Sequence, residues 1–301
     1  MELGMIGLGR MGANMTERLL KAGHRIVVYD IDAAAIDRVA ALGAAAAVSI
    51  EAFVRQLNRP RAVWLMVPSG DVVEKTLQSL MPVLKKDDVV IDGGNSNYKD
   101  SMRRSAALAA TGIHFIDAGT SGGIWGLQNG YCLMIGGPKA AVERLRPIFE
   151  SLAPAADRGW EHVGPGGAGH FVKMVHNGIE YGLMQAYAEG FALLRGKAEF
   201  HLDLAKISEV WRHGSVVRSW LLDLTAEALS EDSTLETVRP YVADSGEGRW
   251  TVAEAIEQSV SAPVITLSLM QRFRSRDEES FADRLLAMMR NKFGGHELKK
   301  D

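Results

Sequence analysis

Between residues 3 and 117 the chain alternates short apolar runs with amphipathic stretches. The runs at 3–7, 25–30, 62–67, 89–92 and 114–117 are nearly continuous in apolar side chains, and between them lie segments of helical period such as 11–22 and 71–84. Strands that are apolar on both faces, each followed by a helix, predict a parallel sheet covered on both sides. A later pair of strands, 131–135 and roughly 155–163, flanks a helix over 138–152 and is predicted to extend the sheet edge. After Gly164-Pro165-Gly166-Gly167 the strand patterns stop. Helical period then runs almost to the end, beginning with a helix to about Leu194 and breaking near 240–248 and at Pro263. The expected architecture is therefore α/β. A Rossmann-type, doubly wound parallel sheet over 1–164 precedes an all-helical domain over 165–301, and the glycine–proline cluster is the boundary.

Composition narrows the class. With 301 residues, 47% hydrophobic and 24% charged, the chain has the balance of a globular protein with a sizeable core. A formal charge of -3 argues against nucleic acid as a partner. No apolar stretch approaches the roughly 20 residues of a membrane span, and no basic leader precedes the first strand, so a cytoplasmic protein is expected. The single cysteine, Cys132, excludes an internal disulfide framework, fits a reducing compartment and is expected to be a small buried hydrophobe. No metal site is expected.

Candidate chemistry appears at both ends of this plan. Gly7-Leu8-Gly9-Arg10-Met11-Gly12 lies between an apolar strand and an amphipathic helix. In that context the first glycine permits a tight turn, the second admits a pyrophosphate to the backbone, and the third lets helix and strand pack closely. Asp30 ends the second strand, where a carboxylate binds the adenine ribose and repels a 2′-phosphate. Ile31 follows it in place of an arginine, so NAD is expected over NADP, with Arg10 the one nearby cation that would admit NADP. Asp32 reads as the cap of the next helix.

The second signal is a polar stripe. Lys173, His176, Asn177, Glu180 and Tyr181 fall at i, i+3, i+4, i+7 and i+8, one face of a helix, while Val172, Val175 and Ile179 turn elsewhere. A solvated face would carry many long charges of both signs. This mixture of lysine, histidine, amide, carboxylate and phenol beside apolar neighbours reads instead as the wall of a catalytic cleft. Lys173 is the candidate base for an alcohol proton, and Glu180 a second acid–base group. Asn177 and His176 are placed to orient hydroxyls or a forming carbonyl.

With these motifs in hand the chain resembles the decarboxylating 6-phosphogluconate dehydrogenase family. The likeness rests on residues 7–14, on Ile91-Asp92-Gly93-Gly94-Asn95-Ser96, on Ser121-Gly122-Gly123, and on the unbroken run from Gly167 to Tyr181. It extends over essentially the whole chain, whose length matches the short, often NAD-using branch. The resemblance implies that Lys173 deprotonates the C3 hydroxyl as hydride leaves, and that Glu180 protonates C1 after carbon dioxide is lost. It implies that Asn14, Val67 and Asn95 lie along the cofactor. Asn95, Ser121, Gly122, Gly123, His176 and Asn177 would bind the sugar acid. Tyr181 and Arg274 would bind its phosphate, and Arg290 and His296 would reach it from a neighbouring subunit of a dimer or tetramer. Gluconate use and the pentose phosphate pathway are the implied setting.

Two departures stand out. The position after Gly123, acidic in the long-form enzymes, is Ile124, and the loop that carries a phosphate-binding lysine there is shortened to Asp244-Ser245-Gly246-Glu247-Gly248-Arg249-Trp250, without lysine. Arg249 is the candidate substitute. The competing expectations are a non-decarboxylating β-hydroxyacid dehydrogenase, with no call for Glu180, Tyr181 or the C-terminal cations, and a non-catalytic nucleotide-binding regulator.

Overall fold

A computed structural model describes residues 1–299. Eight strands form one sheet: β1 (Glu2–Ile6), β2 (Arg25–Tyr29), β3 (Ala45–Ala46), β4 (Ala62–Leu65), β5 (Val89–Asp92), β6 (His114–Ser121), β7 (Cys132–Gly136) and β8 (Trp160–Gly164). Their order is β3-β2-β1-β4-β5-β6-β7-β8. The first six are parallel, β7 runs antiparallel to β6, and β8 runs parallel to β7. The order reverses direction between β1 and β4, the place where doubly wound sheets bind ligands.

The continuous apolar runs follow from this architecture. Met5, Val28, Trp64, Ile91 and Ile116 enter the core on one face of the sheet, and Ile6, Val27, Val63, Val90 and Phe115 enter the core on the other. Successive residues alternate faces, and both faces are covered by helices, so neither register position is polar.

Three local details differ from the expectations. The two-residue β3 lies inside the alanine tract 44–47, which carries no periodicity to reveal it. The helix expected over 138–152 is broken at Leu145 into Lys139–Arg144 and Arg146–Leu152, because Pro147 has no N–H to continue the first ladder. Strand β6 continues past Asp117 to Ser121, pairing with β7 through Ala118, Gly119, Thr120 and Ser121, a mixed run without the continuous apolar pattern of the earlier strands.

The chain forms two compact units, Met1–Asn177 and Gly178–Asp301. The second contains helices Leu204–Arg212, Trp220–Glu231, Glu247–Glu257, Pro263–Arg274 and Phe281–Gly294, with no strand among its described residues. One 29-residue helix, Ala168–Gly196, begins in the first unit and ends in the second. The contact division thus falls inside that helix rather than at its glycine-rich entry.

The entry of this helix is held by a buried charge. Asp117, fully buried at the centre of β6, accepts the Gly167 N–H on Oδ1 (2.7 Å) and the His170 N–H on Oδ2 (2.8 Å). Two N–H groups otherwise left without intrahelical partners are satisfied, and the carboxylate sits at the positive end of the helix dipole. The helix also lies unusually close to the strands. A methyl on Gly169 would come within 2.4 Å of the carbonyls of Asp117 and Met134, and one on Gly119 within 2.6 Å of the Lys173 Cβ. His170 adds a side-chain tie, its Nδ1 2.7 Å from the Ser101 hydroxyl on helix Tyr98–Ala109.

Asp117→Asn replaces one acceptor with an amide that faces an N–H. It is expected to lower stability by about 2–4 kcal/mol, read as a lower urea midpoint at unchanged slope. An unchanged midpoint would show that the helix entry is held by packing alone.

Candidate active site

The nucleotide loop has the geometry its glycines require. Gly7 has φ +94°, and a side chain there would meet the Met66 carbonyl at 2.4 Å. A methyl on Gly12 would come within 1.9 Å of the Gly7 carbonyl, so helix Arg10–Lys21 is seated directly on the turn. Gly9 differs: nothing lies within 4 Å of the position a methyl would take, which leaves its backbone open to an incoming group. It is the N-cap of the helix, no side chain caps that end, and the first turn contains no acid. The loop therefore presents a helix N-terminus suited to a pyrophosphate. Leu8 is buried, Met11 and Asn14 are half-buried, and Arg10 is exposed.

Asp30 braces this loop. Its Oδ2 accepts the Leu8 N–H at 2.5 Å and its Oδ1 the Asp32 N–H at 2.9 Å. The carboxylate thus stands at the mouth of the glycine turn. Asp32 caps the helix Ala33–Ala40 through the Ala34 N–H at 3.0 Å, as expected. Arg38 from the same helix reaches the Leu8 carbonyl at 3.4 Å, a cation near the loop that sequence reading passed over.

A second loop follows β5. Asp92 is fully buried and accepts the Gly94 N–H (3.1 Å), the Ser96 hydroxyl (2.7 Å) and Arg104 Nη1 (3.2 Å). Arg104, itself buried on helix Tyr98–Ala109, also donates to Glu74 at 3.0 Å. A buried ion pair leans on further hydrogen bonds, and Arg104 Nη1 makes one to the Ser96 hydroxyl (3.3 Å) of the loop that the pair shapes. The result is that Asn95 is exposed at the loop's crest, while Gly94 lies close enough that a methyl there would come within 2.9 Å of the Val67 carbonyl. Val67 and Asn95 are thereby brought onto adjacent loops.

At the end of β6, Ser121 is half-buried, and Gly122 and Gly123 turn with positive φ into exposed Ile124. Cys132 pairs with Ser121 at the last step of the β6–β7 ladder. It is exposed there, contrary to the expected buried position: its neighbours Tyr131 and Leu133 are both buried in the core on one face of the sheet, and Cys132, alternating with them, faces the other way.

The polar stripe is on the inward side of its helix. Lys173, Asn177 and Tyr181 are 8%, 9% and 5% exposed, whereas apolar Val172 and Ile179 are 37% and 52% exposed. This inversion rules out a solvated polar face. Lys173 Nζ donates to Asn177 Oδ1 at 2.5 Å, and His176 Nδ1 lies 3.0 Å from the same oxygen. The amide oxygen gathers the Lys173 amine and the imidazole into one cluster. Glu180, half-buried, and Tyr181 follow on the next turn, in the second unit.

Within that unit, helix Glu247–Glu257 packs tightly on the stripe's far end. Methyl groups on Gly178 and Gly248 would come within 2.7 Å of Thr251 and 2.4 Å of the Tyr181 ring. The Ser245 N–H points at the Tyr181 hydroxyl at 3.4 Å, and the Arg272 guanidinium lies 3.4 Å from the Tyr181 ring centroid. Arg274 is not brought to Tyr181: it donates to Asp283 (2.6 Å) and to the Asp277 carbonyl (3.1 Å). Arg290 lies exposed on helix Phe281–Gly294 and His296 just beyond it, its carbonyl accepting from Asn291 at 2.9 Å.

Comparison with known proteins agrees across the chain. Residues 2–163 match the NAD binding domain of 6-phosphogluconate dehydrogenase, and residues 169–299 match the 6-phosphogluconate dehydrogenase C-terminal domain. A NAD(+)-dependent, decarboxylating 6-phosphogluconate dehydrogenase of Haloferax volcanii is 47% identical over 100% of this chain and 99% of its own. A NADP(+)-dependent, decarboxylating enzyme of Bacillus subtilis is 38% identical over 92% of this chain and 62% of its own length. Among solved structures, Plasmodium falciparum 6-phosphogluconate dehydrogenase superposes with a TM-score of 0.85 at 27% identity, covering 100% of this chain and 66% of that one. A 3-hydroxyisobutyrate dehydrogenase of Mycobacterium tuberculosis shares the fold, with a TM-score of 0.71 at 23% identity.

The open space at Gly9 and the crowding at Gly12 separate binding from folding. Gly9→Ala is expected to leave the melting temperature within a few degrees while weakening NADH binding at least about tenfold, measured by fluorescence titration. Gly12→Ala should lower the melting temperature strongly. Equal effects of the two on stability would contradict the assignment of Gly9 to the cofactor.

Proposed function

Since the chain belongs to the 6-phosphogluconate dehydrogenase family, we infer that it oxidises and decarboxylates 6-phosphogluconate to ribulose 5-phosphate, with NAD as the preferred acceptor. The observation that carries this reading is the inward-facing cluster of Lys173, His176 and Asn177, followed on the same helix by Glu180 and Tyr181.

NAD, when bound, supplies the hydride acceptor. Gly7, Gly9, Gly12 and the N–H groups of helix Arg10–Lys21 hold its pyrophosphate, and Asp30 its adenine ribose, with Val67 and Asn95 alongside. The position of the Asp30 carboxylate at the loop disfavours a 2′-phosphate.

The remaining steps belong to the protein's own groups. Neutral Lys173 takes the proton of the substrate's C3 hydroxyl as the C3 hydride departs, which leaves a 3-keto acid and a lysine ammonium. Loss of carbon dioxide sends the electron pair of the breaking C–C bond toward the C3 oxygen. The Lys173 ammonium returns its proton there, and Glu180 then protonates the carbon that lost carbon dioxide (C1 of ribulose 5-phosphate) while Lys173 takes the hydroxyl proton back, which leaves the product's ketone. Asn177 holds Lys173 in reach through its amide oxygen, and His176, Ser121, Gly122, Gly123 and Asn95 orient the hydroxyls and carboxylate. Two proton-transfer groups suit a reaction with two proton-transfer steps, and an oxidation without decarboxylation would leave Glu180 unused.

We further propose that the protein works in the cytoplasm as a dimer or tetramer, with Arg290 and His296 acting at a neighbouring subunit's site. The described residues contain no helix long and apolar enough to cross a membrane.

Incubation with 6-phosphogluconate and NAD should release NADH and carbon dioxide in equal amounts, with NAD used more efficiently than NADP. NADH without carbon dioxide, or no turnover, overturns the assignment, and a strong preference for NADP overturns the role of Asp30. Lys173→Met should lower kcat by about 10²–10⁴, and Glu180→Gln should slow the protonation at C1. Wild-type kinetics in both variants would remove the stripe from the mechanism.

A further inference from the structure

We propose that Arg18, on the helix whose N-terminus receives the cofactor, is a positioning residue for the substrate loop that begins at Ser121-Gly122-Gly123. The proposal rests on the functional reading above, which sets those three residues against the sugar acid.

Arg18 lies on helix Arg10–Lys21, about 13 Å along the axis from Gly9 and so out of reach of the pyrophosphate. Its guanidinium instead meets segments 109 to 135 residues further along the chain. Nη1 donates to the carbonyls of Leu127 (3.2 Å) and Gln128 (3.5 Å), Nε to that of Ser151 (2.9 Å), and Nη2 to that of Ala153 (2.6 Å). All four acceptors stand at helix ends. Leu127 and Gln128 belong to the single turn Gly126–Asn129, and Ser151 and Ala153 to the last turn and C-cap of helix Arg146–Leu152. The terminal carbonyls of a helix have no intrahelical partner, and a cation is favoured beside them. A planar group with five donors meets several such carbonyls at once, which a lysine ammonium does not. Among the described residues Arg18 pairs with no carboxylate; its commitment is to the backbone.

The loop it holds is closed and tightly packed. Gly122 and Gly130 turn with φ +120° and +84°. A methyl on Gly126 would come within 1.9 Å of the Tyr131 ring, and one on Gly130 within 2.3 Å of the Pro154 nitrogen. The Tyr131 N–H closes the base of the loop on the Leu152 carbonyl at 2.8 Å. Tyr131 is fully buried, and burial pushes its phenol up to about 12, so it stays neutral and supplies Arg18 with no counter-charge. The turn Gly123–Trp125 and helix Gly126–Asn129 both pack on helix Arg10–Lys21.

One helix therefore serves two sites. Its first turn offers backbone N–H groups to the cofactor, and Arg18 near its other end fixes the loop that starts with the substrate contacts. Hydride transfer needs C3 of the substrate and the nicotinamide in one register, and a displacement of about 1 Å costs up to about a hundredfold in rate. Arg18 touches neither ligand and acts through the backbone it holds.

The test compares Arg18→Met, which keeps the apolar stem and removes the guanidinium, with Arg18→Lys and His24→Ala. His24 Nε2 lies 2.8 Å from the Ser151 hydroxyl, so His24→Ala loosens the same helix end without touching 127–128. Arg18→Met should raise KM for 6-phosphogluconate about tenfold and lower kcat about tenfold, with NADH affinity within about twofold of wild type. Arg18→Lys should recover part of both losses, and His24→Ala should change neither by more than about twofold. Should Arg18→Met not fold, Arg18→Lys carries the comparison, with a rise in KM of about threefold expected. Amide hydrogen exchange gives a readout that needs no substrate: residues 122–130 should exchange at least about tenfold faster in the Arg18 variant, while 7–14 keep their protection. An unchanged KM overturns the proposal. So does an equal loss of NADH and 6-phosphogluconate binding, or an effect of His24→Ala as large as that of Arg18→Met, since either would mark general loosening. If the wild-type protein does not oxidise 6-phosphogluconate, the functional reading fails separately and exchange decides the positioning: faster exchange confined to 122–130 supports it, and unchanged exchange overturns it.

Discussion

Buried in β6, Asp117 gives one carboxylate oxygen to the N–H of Gly167 and the other to that of His170. Much else depends on this contact. It fixes where the 29-residue helix begins and, with Gly119 and Gly169 removing any side chain between them, how closely that helix lies on β6 and β7. Lys173 is one turn further along, its Cβ against Gly119, so its position is set by the strand as much as by its own helix. An ionised group in a protein interior is costly unless every lone pair has a use. Here the helix N-terminus supplies both the donors and a favourable dipole.

The same arrangement recurs wherever a loop must present backbone or an amide to a ligand. Asp30 holds Leu8 and Asp32, Asp92 with Arg104 holds Gly94 and Ser96, and Asp244 holds Arg249 and Arg276. In each case a buried or half-buried carboxylate meets backbone N–H or guanidinium donors and leaves the neighbouring groups to face outward. The acids at the ends of β2, β5 and in the middle of β6 are therefore scaffold for the chemistry rather than reagents in it. Cooperative networks of this kind rigidify the loops they join.

How much of this was legible beforehand follows from how each feature writes itself into composition. The sheet was readable because both faces of each strand are buried, which makes the strands continuous apolar runs. Strand β3 was not, because two alanines in an alanine tract carry no pattern. The stripe at Lys173, His176, Asn177, Glu180 and Tyr181 was readable because polar residues occupied positions where helical period calls for leucine or valine. Asp117 and Arg104 were missed for the opposite reason. A single acid near a strand end and an arginine on an amphipathic helix look like ordinary surface residues, and only their burial reveals a task. A signal did exist for Asp92, since an acid directly before Gly93-Gly94-Asn95-Ser96 is well placed to accept that turn's N–H groups.

Local order alone determined the alternation of strand and helix, the glycine turn and the periodic polar face. Each is governed by backbone sterics and side-chain period within a few residues. What required the tertiary structure was every question of which groups meet across long separations. Asp117 meets a helix start fifty residues later. Cys132 lies outside the core because it alternates with Tyr131 and Leu133, which take the buried face. Arg272, not Arg274, stacks on Tyr181 because the rotation of helix Pro263–Arg274 decides which arginine faces the tyrosine. Spacing along the chain fixes the angle between those two side chains, but only packing fixes the direction in which either one points.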